Sequence, residues 1–241
     1  MRALVTGASA GIGRAFATAL AAAGYTVTAV ARREDPLTGL LAELGPGHDH
    51  LAADLATPEG VRATAGLLAG GGYAVLVNNA GAAVHGDFAA TPLDHSLAQL
   101  DLNCRAVVAL AHAFLGAAEP GAALVNVSST LGHTPKPGLG VYSATKAFVT
   151  ALSETLWHEQ KIRGVHVMAL CPGVTTTASQ DAADVPAWLV QTPEEVVRRA
   201  MSALAERGGP VVVPGRGNAV LTGVARLLPR RTVLSLLGSD R

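Results

Sequence analysis

The sequence predicts a doubly wound α/β domain, with a seven-stranded parallel sheet covered by helices on both faces. Three observations carry this expectation. Seven short β-prone runs alternate with longer Ala/Leu-rich stretches of helical spacing, the pattern of repeated strand–helix–strand units. Most of the short runs are apolar throughout rather than alternating, as strands buried on both faces require. The length, 241 residues, suits one domain of this class. A hydrophobic content of 49% against 15% charged residues supplies a full core and argues against disorder.

Taken in order, the strands are expected at 3–6, 25–30, 50–53, 74–77, 123–127, 165–170 and 211–213. Helices are expected at 11–23, 37–44, 58–68, 92–118, 141–161 and 193–206. Gly24 follows the first helix as a C-cap. Pro58, Pro92 and Pro193 each follow a threonine, which reads as an N-cap followed by an N1 proline. The stretch 218–237 is apolar and broken by Gly223 and Pro229, so one or two short packing helices are expected. No repeat or linker divides the chain, and 1–241 reads as one domain with a C-terminal packing segment at 216–241.

Composition removes several function classes. Lys plus Arg and Asp plus Glu are 18 each, so the net charge is zero, and neither nucleic acid nor a membrane is expected as a partner. Aromatics at 4% are too few for base-stacking platforms. Cys104 and Cys171 make neither a disulfide framework nor a zinc site, and a cytoplasmic, reducing setting is expected. No uninterrupted apolar run reaches the roughly 18–20 residues of a membrane span. The apolar N-terminal stretch is interrupted by Gly7, Gly11, Gly13 and Arg14 and does not read as a signal peptide. His85 and His133 lack partners at metal-ligand spacing and read as polar residues on the rim of a pocket, so no metal is expected.

In a doubly wound sheet, ligands bind at the carboxyl ends of the strands, so the chemistry is sought directly after each one. After the first strand comes Thr6-Gly7-Ala8-Ser9-Ala10-Gly11-Ile12-Gly13. Its glycines allow a tight turn and let a pyrophosphate approach the backbone at a helix N-terminus. After the second strand, Ala31 stands where a carboxylate would read the ribose 2′-hydroxyl of NAD. Arg32 and Arg33 follow it and could pair with the 2′-phosphate of NADP, so NADP(H) is favoured over NAD(H). Their ordinary reading is a pair of arginines solvating a loop.

Tyr142 and Lys146 are four residues apart, one turn apart on one helix face. A tyrosine that exchanges a proton with a substrate oxygen needs help at neutral pH, since its ordinary pKa is about 10. An ammonium at roughly 4 Å, at an effective dielectric of about 20, favours the phenolate by about 4 kcal/mol, or nearly 3 pK units. Ser129, thirteen residues earlier at the end of the fifth strand, could steady the same oxygen. Each feature has a plain structural reading as a chance pair or a strand-end cap, and their coincidence is the signal.

With these in place the chain resembles the classical short-chain dehydrogenase/reductase family, from residue 2 to about residue 215. The glycine spacing i, i+4, i+6 matches that family's cofactor loop, and Asn78-Asn79-Ala80-Gly81 is highly characteristic of it. The resemblance implies a Rossmann-like fold and an oxidoreductase moving a hydride between nicotinamide and a carbonyl or secondary-alcohol substrate. It implies a tetrad of Asn103, Ser129, Tyr142 and Lys146, with Asn103 near a helix kink supporting a proton path. It implies cofactor contacts at Gly7, Ser9, Ala10, Gly11, Ile12, Gly13, Asp54, Leu55, Asn78, Ala80 and Gly81, with Asp54 accepting from the adenine amino group. Pro172, Gly173, Val174, Thr175 and Thr177 would fold over the nicotinamide, and residues 178–190 would form a substrate lid. NADP-dependent relatives often carry a basic residue in the glycine loop, where this chain has Ala10. A homodimer or homotetramer built on the helices at 92–118 and 141–161 is expected. Two other readings stay open: a catalytically weak NADP(H)-binding regulator, and an NAD-preferring alcohol dehydrogenase. Isomerases and epimerases of related type are generally longer.

Overall fold

A computed structural model describes residues 1–176 and 185–238. They form a single domain around one sheet of seven parallel strands in the order β3-β2-β1-β4-β5-β6-β7. The strands are β1 (Arg2–Thr6), β2 (Thr26–Ala31), β3 (Asp49–Ala52), β4 (Tyr73–Asn78), β5 (Ala123–Val127), β6 (His166–Leu170) and β7 (Val211–Val212). From β1 the chain moves outward through β2 and β3, then returns to β4 on the other side. The neighbours β1 and β4 therefore flank the switch point, where a crevice opens at their carboxyl ends.

Successive strand side chains point to opposite faces, so the central strands β1, β4 and β5 feed two cores. Val5, Val77 and Val125 pack with Phe16, Leu37 and Val196 on one face. Leu4, Leu76 and Leu124 pack with Leu68, Leu110 and Phe114 on the other. These strands carry no polar alternation because neither face meets water. The helices are α1 (Gly11–Ala22), α2 (Glu34–Leu44), α3 (Pro58–Ala69), α4 (Leu93–Leu100), α5 (Ala106–Ala117), α6 (Gly140–Gln160), α7 (Pro193–Glu206), α8 (Arg216–Leu227) and α9 (Arg230–Leu237).

Four expectations need correction or refinement. The helix expected at 92–118 runs from Leu93 to Ala117, but one turn within it, Asp101–Arg105, is π rather than α, a local irregularity at Asn103 as the resemblance implied. Thr91 does not cap α4, because its hydroxyl donates to the Asp87 carbonyl at 2.9 Å and Pro92 occupies the N-cap position instead. The helix expected from residue 37 begins at Glu34, because Pro36 falls in the first turn, where a missing N–H costs nothing. Finally, Leu93–Ala117 is long and apolar enough, by length and composition, to cross a membrane. Asp94, Asp101 and Arg105 punctuate it, so it contains no uninterrupted apolar run of that length. In the fold, α5 buries Leu110 and Phe114 in the core. The threonine–proline starts of α3 and α7 hold: Thr57 accepts from Gly60 N–H, and Thr192 forms a reciprocal capping box with Glu195.

Candidate active site

The glycine turn joins β1 to α1. Gly7 and Gly11 have φ of +66° and +53°, the left-handed region that favours glycine. At Gly13 a Cβ would lie 2.2 Å from the Gly7 carbonyl oxygen and 2.5 Å from Asn79 Nδ2, so only hydrogen fits. The start of α1 lacks what α3 and α7 have. Ala10 at its N-cap contributes no side-chain bond, and its first turn holds no acidic residue. Its amides and the positive end of its dipole are left to an outside anion, which fits a dinucleotide pyrophosphate. Ser9 and Ile12 are half-buried in this turn and Ala10 is exposed.

The turn is clasped to β4 by Thr6 and Asn79, both within the quoted motifs but neither among the expected cofactor contacts. Thr6 Oγ1 accepts from the N–H groups of Asn79 at 2.9 Å and Ala80 at 3.0 Å. Asn79 Nδ2 donates to the Thr6 carbonyl at 2.9 Å. The double asparagine splits its work. Asn78 is buried and donates to Asn126 Oδ1 at 2.9 Å, which turns it toward β5 rather than toward the glycine turn. A polar residue ending a buried strand was the available signal for Thr6.

At the end of β2, Ala31 is buried and Arg32 and Arg33 are exposed. Neither arginine has an ion-pair partner among the described residues. After β3, Asp54 Oδ1 accepts from Ala56 N–H at 2.9 Å, and its carbonyl accepts from the Thr57 hydroxyl at 2.8 Å. Leu55 is buried beside it. Asp54 is thus held in a local turn that leaves Oδ2 outside these bonds.

The tetrad residues converge at the ends of β4 and β5. Lys146 is 5% exposed, and its Nζ donates to the Val127 carbonyl at 2.8 Å and sits 5.6 Å from the Tyr142 ring centroid. Ser129 Oγ accepts from Leu131 N–H at 3.2 Å. Ser128 fixes the same turn of α6, its hydroxyl donating to the Lys146 carbonyl at 2.7 Å. Gly132 allows this approach, since a Cβ there would lie 2.8 Å from that carbonyl. The π turn aims Asn103 inward. Its Oδ1 accepts from Ala82 N–H at 3.0 Å, while Nδ2 donates to the Ala82 carbonyl at 2.9 Å and to Thr145 Oγ1 at 3.1 Å. Gly81 lies between, its missing Cβ 3.3 Å from Asn103 Oδ1 and 3.4 Å from Lys146 Nζ.

The electrostatics differ from expectation in one respect. Burial pushes the Tyr142 phenol above its ordinary range, and the Ser129 side chain opposes that rise. Burial also pushes Lys146 down to about 8. The expected depression assumed an ammonium at roughly 4 Å. Here Lys146 Nζ is bonded to the Val127 carbonyl and lies 5.6 Å from the Tyr142 ring centroid, and desolvation of the phenolate sets the direction. The thiols are no nucleophiles: burial raises Cys104 and takes Cys171 to about 11.

After β6, Pro172 accepts from Thr130 N–H at 3.0 Å, tying this turn to the Ser129 loop. Thr175 is buried and pairs in parallel register with Gln191. Gln191 N–H donates to the Val174 carbonyl at 3.0 Å. Asn218 on α8, from the segment that gave no sequence signal, packs under this turn. A Cβ on Gly173 would lie 2.5 Å from Asn218 Oδ1, and Asn218 Nδ2 donates to the Leu189 carbonyl at 3.0 Å. Thr177 and most of the lid, 178–184, lie outside the described residues. The rest of the lid holds a short 3-10 turn, Ala187–Leu189. Trp188 is not packed inward; it stays 65% exposed with one ring edge against Gly217. His85 is exposed, as a rim residue would be. His133 is buried instead, its carbonyl accepting from Arg230 at 2.9 Å. Burial holds its imidazole below the usual range, and Arg226 and Arg230 push the same way.

This geometry has known counterparts. A family model described as short chain dehydrogenase matches residues 1–186. The chain is 36% identical over 183 residues to carbonyl reductase (NADPH) 2 of Sus scrofa, covering 74% of this chain and 73% of that one. It is 32% identical over 223 residues to a very-long-chain 3-oxoacyl-CoA reductase of Phaeosphaeria nodorum, covering 86% of this chain and 64% of that longer protein. A short-chain dehydrogenase from Sphingobium yanoikuyae, solved in complex with NADPH, superposes with a TM-score of 0.81 at 31% identity over 94% of both chains. The match of the family model to most of the chain, and relatives named as reductases at this level of identity, make the protein a member of the short-chain dehydrogenase/reductase family and an NAD(P)-dependent oxidoreductase.

Proposed function

We propose that the protein is an NADP(H)-dependent carbonyl reductase or alcohol dehydrogenase of small-molecule substrates, with Tyr142 as its general acid/base. The observation that carries this is the pair of half-buried Tyr142 and buried Lys146 on α6, beside Ser129 and at the strand ends next to the uncapped start of α1. The turn from Gly7 to Gly13 and the α1 amides hold the pyrophosphate. Arg32 and Arg33, free of internal ion pairs, take the 2′-phosphate. Asp54 and Leu55 border the adenine, and Ala80 and Gly81 the ribose. Pro172, Gly173, Val174 and Thr175 cover the nicotinamide, with Thr177 assigned the carboxamide contact. NADPH in the Sphingobium structure and in the name of the Sus scrofa reductase supports the same choice of cofactor.

A nicotinamide bound there supplies or accepts the hydride. In reduction, the Tyr142 hydroxyl gives its proton to the substrate oxygen as the carbon accepts hydride, and the phenolate regains a proton from solvent. Oxidation reverses these steps. The raised phenol keeps that proton in place through neutral pH. Ser129 orients the substrate oxygen by hydrogen bonding, and its hydroxyl also favours the phenolate once it forms. Lys146 stabilises the same phenolate and reaches the nicotinamide ribose. Asn103 is a positioning residue, holding Ala82 and Thr145 around the route from Lys146 outward. Exposed Leu93, Leu97 and Leu100 along α4, with Phe148 on α6, form the surface we assign to pairing with a second copy.

The test is separate titration with NADPH and NADH, followed by a carbonyl panel with the cofactor that binds. NADPH should bind at least about tenfold more tightly, as hydrogen bonds to a charged group imply. Preference for NADH would refute the assignment of Arg32 and Arg33. Binding of neither would refute the enzymatic reading of this site.

A further inference from the structure

Helix α8 is turned inside out. Its inward stripe is Asn218, Thr222 and Ala225, the first two buried and the third half-buried. Its outward stripe is Val220, Val224 and Leu227, all exposed, with Leu227 at 86%. Both stripes run at i, i+4, i+7, so the polar face is packed and the apolar face is bare, the reverse of an ordinary surface helix. The inward face has its reason in the bond from Asn218 to Leu189 and the close fit against Gly173. Trp188, seated on Gly217 and largely exposed, extends the bare face at the first turn.

Charge is segregated onto the same region. Residues 216–241 hold five arginines and one aspartate, while the rest of the chain holds 13 basic and 17 acidic residues. The neutral whole is therefore an average over a C-terminal block of +4 and a remainder of −4, which the zero net charge concealed. Arg216 lies on the Val220 stripe at helical spacing, and Arg231 follows on α9. Neither has an ion-pair partner among the described residues. Arg226 comes only within 3.9 Å of Glu154.

We infer that this face docks on an anionic lipid bilayer, with α8 lying in the headgroup plane. An exposed apolar stripe rimmed by arginine, with tryptophan beside it, supplies both terms of interfacial binding: burial of apolar area and attraction to negative lipid. A second copy fits less well. A twofold contact through this face would set arginine against arginine, and 216–238 contains no carboxylate to meet them. Because the opposite stripe of α8 holds the Gly173 turn, docking would bring that turn close to the membrane surface.

The experiment is co-sedimentation of the full chain with vesicles of phosphatidylcholine alone and of phosphatidylcholine mixed equally with phosphatidylglycerol, at low and high salt. Binding to the anionic vesicles should exceed binding to neutral ones and weaken with salt. Arg231→Ser should lower it about fivefold. The pair Val220→Ser and Leu227→Ser should lower it roughly tenfold or more. Both side chains are exposed, so the thermal midpoint of the double variant should match the parent and separate lost binding from lost folding. Absence of binding to anionic vesicles would overturn the inference, as would binding that the double variant retains. So would a dimer, seen by sedimentation equilibrium, that the double variant dissociates, since the face would then belong to a second copy. None of these readouts depends on turnover, so failure here leaves the proposed reaction untouched.

Discussion

Replacing Lys146 with methionine should change stability in a way that depends on pH. Burial lowers its amine from 10.5 to about 8. That is about two and a half units at 1.36 kcal/mol each, or about 3 kcal/mol of penalty on the charged form in the fold. The sign follows from proton counts. Below pH 8 folded and unfolded chains both hold the proton, and the penalty is present in full. Between about 8 and 10.5 the unfolded chain holds a proton that the folded one has released, so the parent gains about 1.4 kcal/mol per pH unit. Methionine has no such slope. Its loss of the bond to the Val127 carbonyl is a constant offset of about 1.5–3 kcal/mol. At pH 7 the two effects nearly cancel, and by about pH 10 the variant should have fallen behind by most of 3 kcal/mol. Cys171, whose thiol is held up to about 11, gives the opposite slope in both proteins; Lys146 lowers that thiol, so the two slopes cancel only while the thiol stays protonated in the fold, up to about pH 10. Urea unfolding of both proteins at each pH from 7 to 10 measures it. A difference that stays constant across that range would refute the claim that burial penalises this ammonium.

Tyr142→Phe should leave NADPH affinity unchanged and lower the turnover rate by about 10²–10⁴, the usual contribution of a positioned acid. In the parent, carbonyl reduction should hold level to about pH 8 and decline above it as Lys146 loses its proton, which a pH–rate profile would show. Gly13→Ala places a methyl 2.2 Å from the Gly7 carbonyl, and thermal unfolding should register a loss of about 3 kcal/mol together with weakened cofactor binding. Gly173→Ala collides with Asn218, so its cost should shrink when Asn218→Ala is already present. A double-mutant cycle should return a coupling of about 1 kcal/mol or more, and strict additivity would show that α8 does not support the Gly173 turn.

The apolar strand runs determined the layered parallel sheet, because they are too short for buried helices and alternate with helical stretches that cover both faces. The spacing Tyr142 to Lys146, the glycine turn and the strand-end serine were legible because each is a local pattern with a local physical reason. What the tertiary structure decided is non-local. The π turn at 101–105 aims Asn103 at the Ala82 backbone, a contact across 21 positions of sequence. The clasp of Thr6 to Asn79 spans 73. The direction of the Tyr142 shift depends on how completely the fold excludes water from it, which no spacing records. The C-terminal helices were silent for a related reason. Their apolar pattern reads as core, and only the packing of Asn218 against the Gly173 turn shows which stripe faces inward. Sequence periodicity states that a helix has two faces, while the energy of what lies against each one decides their orientation.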